Sequence, residues 1–297
     1  MKHKVLIIGA GAIGSAIGKA AEEGGMADVS YWDVDKAKVP EWRELGEVAP
    51  GAELVFLCVP TRALRAAAGS VREYLSPQSF VITPAKGMEE QGNKFADELL
   101  GESLSESQPF GVFGGPLLAD ELSRGLEGSA VLGSKYAKCP AAEIIFAHSW
   151  IHFSCVQDLE GVALAGVLKN VYAIGLGIAR GLGFGENAKG RMVSEAVSEM
   201  MEISRMVRGK QETMAGLAGL GDLVATGLSP YSKNHQAGHE LAVSGKTDIR
   251  SEGMLALPLF LKRAPQAGEL PFFGAIVRVV IGGAHPQDIF GKAARKI

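Results

Sequence analysis

Between Met1 and Cys155 the chain alternates short, continuously apolar runs with segments of helical periodicity. Runs that stay apolar, rather than alternating with polar residues, are typical of strands buried on both faces of a parallel sheet. The pattern therefore predicts an α/β domain with a doubly wound parallel sheet. Its strands are expected at Val5–Ile8, Val29–Trp32, Leu54–Val59, Phe80–Thr83, Phe110–Phe113, Ala130–Leu132 and Ile151–Cys155, and its helices at Ile13–Glu23, Arg62–Tyr74 and Gly92–Leu100.

From about Leu159 the strand pattern stops and helical periodicity continues through the rest of the sequence. We therefore predict a first domain over residues 1–157 and an all-α domain over residues 158–297. Glycine-rich turns separate the predicted helices of this second domain, which are Gly161–Leu182, Asn187–Arg208, Asn234–Val243, Ser251–Lys262, Phe272–Ile281 and Pro286–Lys296.

The composition is that of a soluble globular protein. The 297 residues are 47% hydrophobic and 21% charged with a net charge of −3, so nothing attracts the chain to nucleic acid or to an anionic membrane. The span-length apolar segment Gly161–Leu182 contains Lys169, Asn170 and Arg180, which favours a buried helix over a membrane span. The N-terminus is broken by glycines and does not match a signal peptide. We expect no nucleic-acid partner and no membrane insertion.

Cysteine and histidine spacing favours neither disulfides nor a metal. The three cysteines are odd in number and lack C-x-x-C spacing, which indicates a reducing compartment, and we predict a cytoplasmic protein. Two histidine pairs have i, i+4 spacing but no evident third ligand, so we predict no metal site. The residues concerned are Cys58, Cys139 and Cys155, and His148 with His152 and His235 with His239.

The strongest chemical motif is Gly-Ala-Gly-Ala-Ile-Gly at residues 9–14, directly between the first predicted strand and the first predicted helix. In a dinucleotide-binding turn, Gly9 permits the tight turn, Gly11 lets the backbone approach a pyrophosphate, and Gly14 lets the helix pack close to the strand. The motif predicts a Rossmann domain that binds a dinucleotide. A glycine-rich turn that binds nothing is the alternative.

Asp33 ends the second predicted strand, where a carboxylate can accept hydrogen bonds from the adenosine ribose. Because this carboxylate would repel a 2′-phosphate, we predict NAD as the cofactor. NADP stays open as an alternative, since Lys36 and Lys38 follow closely, and FAD is a further one.

Two lysines lie where they could meet a substrate. Lys86 follows the fourth predicted strand, at the sheet edge where α/β proteins bind ligands, although a solvated loop lysine would look the same. Lys169 lies in a predicted helix that is apolar almost all round. Burial lowers the pKa of a lysine, which suits proton transfer near neutral pH, whereas structural pairing with one acid is the alternative reading.

Three later segments add polar groups. A glycine-rich segment at residues 181–189, Gly-Leu-Gly-Phe-Gly-Glu-Asn-Ala-Lys, separates two predicted helices. It fits either helix capping or a phosphate cradle. Asp222 follows a glycine-rich turn and could cap a helix or pair with Lys169. Ser-Lys-Asn-His at residues 232–235 begins a predicted helix and fits either a phosphate site or an N-cap with a solvated face.

Together these motifs resemble the NAD(P)-dependent glycerol-3-phosphate dehydrogenases, members of the superfamily that is similar to 6-phosphogluconate dehydrogenase. The order and spacing of the motifs cover nearly the whole chain. The segments that carry the resemblance are Gly-Ala-Gly-Ala-Ile-Gly at 9–14, Pro-Ala-Lys-Gly at 84–87, Gly-Gly-Pro at 114–116 with Ala119, Leu-Lys-Asn at 168–170, the 181–189 segment, Gly-Leu-Ala-Gly-Leu-Gly-Asp-Leu at 216–223 and Ser-Lys-Asn at 232–234.

The resemblance implies reversible reduction of dihydroxyacetone phosphate to sn-glycerol 3-phosphate. It implies that Lys169 donates and accepts the proton, that Lys86 orients the substrate, and that Asp222 holds the lysine and the substrate hydroxyls. The cofactor-binding residues that it implies are Gly9, Gly11, Ala12, Ile13, Gly14, Asp33, Pro60, Lys86, Ala119, Lys233 and Glu252. The implied substrate-binding residues are Lys86, Gly115, Asn170, Asp222, Thr226, Ser232, Lys233 and Asn234.

Two departures from the family pattern affect the expected substrate. Lys233-Asn234-His235 stands where the family has Arg-Asn-Arg, which replaces a bidentate guanidinium by a point charge. Leu117-Leu118 stands where the family has Ser-Phe, which removes a hydroxyl. A related reductase acting on another small ketone, aldehyde or keto acid is therefore an alternative, and a non-catalytic NAD(H)-sensing protein is another. The resemblance also implies a homodimer.

Overall fold

The computed structural model describes residues 2–136 and 138–293. The chain divides into two compact units, one formed by Met1–Ala85 with Lys94–Ala163 and the other by Lys86–Asn93 with Leu164–Ile297. The predicted boundary between residues 157 and 158 lies at the start of a long helix whose residues belong to both units. As a boundary between folding units it stays a prediction.

A seven-stranded sheet forms the frame of the first unit. Its strands are β1 His3–Ile8, β2 Ala27–Trp32, β3 Leu54–Leu57, β4 Phe80–Thr83, β7 Phe110–Gly114, β8 Gly128–Ser134 and β9 Ile151–Val156, while the two-residue strands β5 Met88–Glu89 and β6 Lys94–Phe95 lie outside it. The strand order is β2-β1-β3-β4-β7-β8-β9. All neighbours pair in parallel except β7 and β8, which are antiparallel.

The helices of the first unit follow their strands closely. They are α1 Ala12–Glu23, α2 Leu45–Val48, α3 Thr61–Val71, α4 Ala96–Ser103, α5 Ala119–Ser123 and α6 Pro140–Phe146, with 3₁₀ turns at Lys36–Lys38 and Arg72–Tyr74. Every residue of β3 and β4 is buried, which accounts for their continuous apolar runs. Phe56 and Phe113 meet edge to face at 5.5 Å between ring centroids in the core beneath the sheet.

The second unit is helical apart from β5 in the part of the chain that the structure describes. Its helices are α7 Leu159–Gly181, which starts in the first unit, α8 Glu186–Met206, α9 Gln211–Ala215, α10 Asp222–Gly227, α11 Lys233–Ser244, α12 Glu252–Arg263, α13 Pro271–Val280 and α14 Pro286–Ala293. A π-helical turn at Leu217–Gly221 leads into α10, and a 3₁₀ turn at Pro265–Glu269 precedes α13.

Helix α7 is the core helix of the fold. It has the length and hydropathy of a membrane-spanning helix, but the residues of its apolar window are all buried inside the protein. The ring of Tyr172 packs against Phe272 and Phe273 of α13, with centroids 5.4 and 5.8 Å away. Such packing covers the apolar circumference of α7 with protein.

A buried carboxylate joins three helices of this unit. Glu199 of α8 accepts hydrogen bonds from the backbone N–H groups of Phe272 and Phe273, at 2.7 and 2.8 Å, and from the Tyr172 hydroxyl at 2.9 Å. The two N–H groups belong to the first turn of α13, which has no acceptors of its own there. Burial raises the pKa of Glu199, although these three donors lower it in part.

The fold class is confirmed, with two local differences. The sheet is not wholly parallel, because β8 and β9 run opposite to the other five strands. The predicted helix at Gly92–Leu100 is wrong in its first half: β6 precedes α4, because the Glu98 side chain accepts the N–H of Phe95 at 2.8 Å and starts the helix at Ala96. Beyond Ala293 the predicted last helix lies outside the described residues.

Candidate active site

A buried ammonium, that of Lys169 in α7, lies against one face of α10. Only 6% of Lys169 is exposed. Its Nζ donates to Thr226 Oγ1 at 2.8 Å and lies 3.1 Å from Asp222 Oδ1. Asp222 and Thr226 are four residues apart, so one turn of α10 presents both side chains to the lysine.

A second ammonium contacts the same carboxylate. Lys86 Nζ lies 2.5 Å from Asp222 Oδ2, while Lys169 faces the other carboxylate oxygen. Lys86 packs closely against α7 at Gly166, where a Cβ would lie 3.1 Å from Lys86 Cγ. Asp222 is 1% exposed and lies between two cations, so the buried group of three side chains carries a net positive charge when all are ionised.

The charges in this group shift one another's protonation. Burial lowers the pKa of Lys169; the Asp222 carboxylate raises it by a smaller amount, and the Lys86 ammonium lowers it again. Burial alone would raise the pKa of Asp222, but the two ammonium groups together hold it below its usual value. At neutral pH the site therefore contains an ionised carboxylate beside a lysine that gives up its proton more readily than a solvated one.

An amide network fixes the backbone beside these lysines. Asn170 donates through Nδ2 to the Lys86 carbonyl at 3.0 Å and to Glu252 Oε2 at 3.3 Å. Asn234 donates to Asn170 Oδ1 at 2.8 Å and accepts the N–H of Gly253 at 2.8 Å. The network thus joins the Lys86 segment to α7, α11 and α12, and it brings together residues from four distant parts of the sequence.

The predicted phosphate segment begins α11, and its side chains divide between three environments. Ser232 is the N-cap of the helix, and its hydroxyl oxygen accepts the N–H of His235 at 3.4 Å. Asn234 belongs to the amide network, whereas Lys233 is exposed. Of the three predicted phosphate ligands in this segment, Lys233 is therefore the one whose side chain faces solvent.

The glycine loop of the first unit has the shape that a pyrophosphate requires. Gly9 has φ +99°, and a Cβ there would lie 2.5 Å from the Cys58 carbonyl oxygen. A Cβ on Gly14 would lie 2.0 Å from the Gly9 carbonyl oxygen, so the α1 helix packs directly on the turn. A Cβ on Gly11 would meet nothing within 4 Å. The loop thus leaves open space beside Gly11, where the first turn of α1 carries N–H groups without helical acceptors.

Asp33 lies directly behind this loop. Its carboxylate accepts the N–H of Ala10 at 2.9 Å and the N–H of Asp35 at 2.9 Å, and only 6% of the residue is exposed. Lys38 Nζ lies 3.6 Å from Asp33 Oδ1. The carboxylate therefore supports the loop through Ala10, and Lys38 lies beside one of its two oxygens.

The other predicted residues of the first unit lie at helix starts or turns. Pro60 precedes α3 as its N-cap, and Ala119 is the first residue of α5. Gly115 has φ +92°, and a Cβ there would lie 2.3 Å from the Ser129 carbonyl oxygen.

In the described residues, 2–136 and 138–293, no three His, Cys, Asp or Glu side chains are grouped to hold a metal ion.

The sequence placed His235 in a possible phosphate segment and in a histidine pair with His239, but it did not indicate the contact that the structure shows. Its ring is buried, and Nδ1 lies 2.6 Å from the Gly227 carbonyl oxygen at the end of α10. The signal was a histidine directly after Asn234 in a polar helix start, but its partner lies in another helix and no local pattern identifies it.

Comparison with known proteins gives matches along most of the chain. Residues 36–139 and 158–291 match the family models described as the N-terminus and the C-terminus of NAD-dependent glycerol-3-phosphate dehydrogenase. A protein from Leifsonia xyli subsp. xyli named glycerol-3-phosphate dehydrogenase, NAD(P)+, is 31% identical, over 95% of this chain and 85% of that protein. One of the same name from Methylobacterium radiotolerans is 30% identical, over 98% and 96%. The crystal structure of a glycerol-3-phosphate dehydrogenase from Coxiella burnetii superposes with a TM-score of 0.83 at 25% identity, covering 99% of this chain and 98% of that one.

Proposed function

Since the chain belongs to the NAD-dependent glycerol-3-phosphate dehydrogenase family, we propose that it catalyses the reversible reduction of dihydroxyacetone phosphate to sn-glycerol 3-phosphate with a nicotinamide dinucleotide. The observation that carries the proposal is the Lys169 ammonium, which is buried and held at 2.8 and 3.1 Å by Thr226 and Asp222. A carbonyl reduction needs such a group, because the carbonyl oxygen gains negative charge and then a proton.

The bound nicotinamide supplies the hydride in reduction and accepts it in the reverse direction. Lys169 donates a proton from Nζ to the carbonyl oxygen during reduction and takes it back from the hydroxyl during oxidation. Its lowered pKa makes this proton easier to release than that of a solvated lysine. Asp222 holds the ammonium in place and stays ionised throughout. Lys86 orients the substrate through its charge, and together the two ammonium groups stabilise the oxyanion before the proton arrives.

The residues of the glycine loop would hold the cofactor. The backbone beside Gly11 and the N–H groups of Ala12 and Ile13 face the pyrophosphate, and Asp33 accepts hydrogen bonds from the adenosine ribose. We favour NAD because a 2′-phosphate would meet the Asp33 carboxylate. The cofactor-side roles of Pro60, Lys86, Ala119, Lys233 and Glu252 stay predictions.

The substrate phosphate would meet Lys233, with Ser232 and Asn234 shaping the start of α11. A lysine gives a point charge rather than the two parallel hydrogen bonds of an arginine, so we expect a weaker phosphate contact than in relatives with arginine there. The substrate-binding roles of Asn170, Thr226 and Gly115 stay predictions.

The first experiment is a spectrophotometric assay of the purified protein with dihydroxyacetone phosphate and NADH or NADPH. We expect oxidation of NADH at 340 nm, with a higher kcat/KM for NADH than for NADPH. Dihydroxyacetone without phosphate and a panel of 2-keto acids serve as comparison substrates. Turnover of a keto acid in place of dihydroxyacetone phosphate would assign the chain to another reductase activity.

The second experiment removes the proposed acid. Lys169→Ala should lower kcat about a thousandfold, the size expected for loss of a positioned general acid. The Kd of NADH, measured by fluorescence, should stay within about twofold, because no cofactor contact is lost. Lys246→Ala, at an exposed lysine, is the matched control and should keep the wild-type kcat. An unchanged kcat in Lys169→Ala would remove Lys169 from its proposed role.

We further propose that the protein acts as a cytoplasmic homodimer. Light scattering of the purified protein tests the dimer directly, since a mass of one chain at micromolar concentration would contradict it.

A further inference from the structure

The position of α10 controls the proposed acid, because this one helix supplies both partners of the Lys169 ammonium. It is six residues long, and it follows a π-helical turn rather than a regular helix. A helix this short has few hydrogen bonds of its own, so its position depends on contacts with neighbouring helices. Any displacement of α10 relative to α7 would change the distances from Lys169 to Asp222 and Thr226.

The His235 side chain is hydrogen-bonded to the C-terminal end of α10. Its Nδ1 lies 2.6 Å from the carbonyl oxygen of Gly227, the last residue of that helix. A carbonyl oxygen can only accept a hydrogen bond, so Nδ1 carries the proton and donates it. This places one of the otherwise unpaired carbonyls at the helix end in a buried hydrogen bond.

The backbone of His235 contacts α7 at the same time. A Cβ on Gly177 would lie 2.1 Å from the His235 carbonyl oxygen, so the start of α11 rests directly on α7 at that glycine. The adjacent residue, Asn234, is hydrogen-bonded to Asn170 of α7 at 2.8 Å. Residue 235 is therefore fixed on the helix that carries Lys169, while its ring holds the helix that carries Asp222 and Thr226.

We propose that His235 is a positioning residue: its Nδ1–H bond to the Gly227 carbonyl sets α10 against α7 so that Asp222 and Thr226 hold the Lys169 ammonium. The proposal rests on the proposed function for its kinetic consequence but not for its structural one. The ring of His235 is hydrogen-bonded to Gly227 and not to Lys169 or Asp222, so we expect it to act through the position of α10.

Variants that move the donor test the proposal sharply. His235→Asn carries an amide N–H near the position of Nδ1 and should keep kcat within about threefold. His235→Gln carries its amide near the position of Nε2, and His235→Leu has no donor; each should lower kcat about tenfold or more because a buried carbonyl loses its partner. The Kd of NADH should change little in all three.

A pH profile separates positioning from loss of folded protein. When Asp222 moves away from Lys169, the ammonium loses a stabilising anion and its pKa falls further. The pH at which kcat for reduction declines on the alkaline side should therefore be lower in His235→Leu than in the wild type. A smaller amount of correctly folded enzyme would reduce kcat at every pH and leave that midpoint in place.

A control and a readout without activity complete the test. His239 is half-buried, lies one turn after His235 and lines with it a cavity of about 260 Å³. The control variant His239→Asn should behave as the wild type. Hydrogen exchange should speed up in the amides of residues 223–228 in His235→Leu but not in His235→Asn, whatever substrate the enzyme uses. If His235→Leu keeps wild-type exchange in α10, or if Asn and Gln variants are equally impaired, the proposal is wrong. Failure to reduce dihydroxyacetone phosphate in the wild type would instead count against the proposed function alone.

Discussion

Thr226 lies one helical turn after Asp222 and donates its hydroxyl proton to Asp222 Oδ1 at 3.2 Å. The same hydroxyl oxygen accepts a hydrogen bond from Lys169 Nζ at 2.8 Å. Thr226 thus both donates and accepts a hydrogen bond within the site, and it joins the Lys169 ammonium to the Asp222 carboxylate. Both lysine partners come from one turn of α10, so they move together.

Asp222→Asn should shift the pH range of the enzyme. The substitution removes the anion that raises the pKa of Lys169, so this pKa falls further below its ordinary value. Reduction needs the protonated lysine, so the alkaline decline of kcat should move to lower pH. A kcat profile from pH 6 to 10 with saturating NADH checks this, and a decline at the wild-type pH would contradict it.

Thr226→Val should lower kcat about tenfold, because valine keeps the shape but removes one of the two acceptors of the buried ammonium and leaves Asp222 as the other. Thr226→Ser keeps the hydroxyl and is the matched control, expected within about threefold of the wild type. Steady-state kinetics with dihydroxyacetone phosphate measures both. Equal kcat values in the two variants would show that the hydroxyl of Thr226 does not support Lys169.

Gly11→Ala should weaken cofactor binding without unfolding the protein. A Cβ at this position meets no protein atom within 4 Å, so it occupies the space that we assign to the pyrophosphate. We expect the Kd of NADH to rise about tenfold or more, because the backbone can no longer approach the phosphates closely. Gly69→Ala, in α3 and also in open space, is the control. Calorimetric titration with NADH gives both values, and an unchanged Kd in Gly11→Ala would place the pyrophosphate elsewhere.

Glu199→Ala should lower the free energy of unfolding by about 2–3 kcal/mol, since it strands two buried N–H groups of α13 and the Tyr172 hydroxyl. Glu199→Gln keeps one acceptor oxygen and should lose less. Urea unfolding measures both, with the exposed Glu106→Ala as a control for loss of a carboxylate. A Glu199→Ala protein as stable as the Glu106→Ala protein would show that the buried carboxylate adds nothing.

His235 should make the protein less stable as the pH falls through 6.5. Burial lowers the pKa of its ring from 6.5, and the nearby cations Arg180 and Lys189 lower it as well. The unfolded chain therefore binds a proton that the folded one does not, and the free energy of unfolding falls between pH 6.5 and the lower folded pKa. Below that folded pKa this contribution is lost in full. The slope is at most about 1.4 kcal/mol per pH unit, and urea unfolding of His235→Asn, which lacks the titrating ring, should show it reduced.

The sequence predicted what depends on neighbouring residues. The turn from Gly9 to Gly14 was predictable because a strand-to-helix turn that binds a dinucleotide needs glycine at fixed positions, where a side chain would clash. Lys169 was prominent because a charge within an apolar helix is rare. Its partner Thr226 is 57 residues away, and its contact depends on how α7 and α10 pack. The hydrogen bonds of His235 to Gly227 and of Glu199 to α13 also depend on how helices pack. Periodicity and spacing in the sequence therefore could not predict them.

The carboxylate between two ammonium groups links proton uptake to anion binding. In the proposed reaction, the Lys86 and Asp222 charges cancel once Lys169 has given its proton to the substrate, so we expect the attraction for a phosphate ester to weaken as the product forms. By the same reasoning, we expect the next substrate dianion to bind most tightly after Lys169 has regained a proton from solvent. Substrate affinity and protonation of Lys169 are therefore thermodynamically linked. Calorimetric titration in buffers of different ionisation enthalpy would measure how many protons are taken up when each ligand binds.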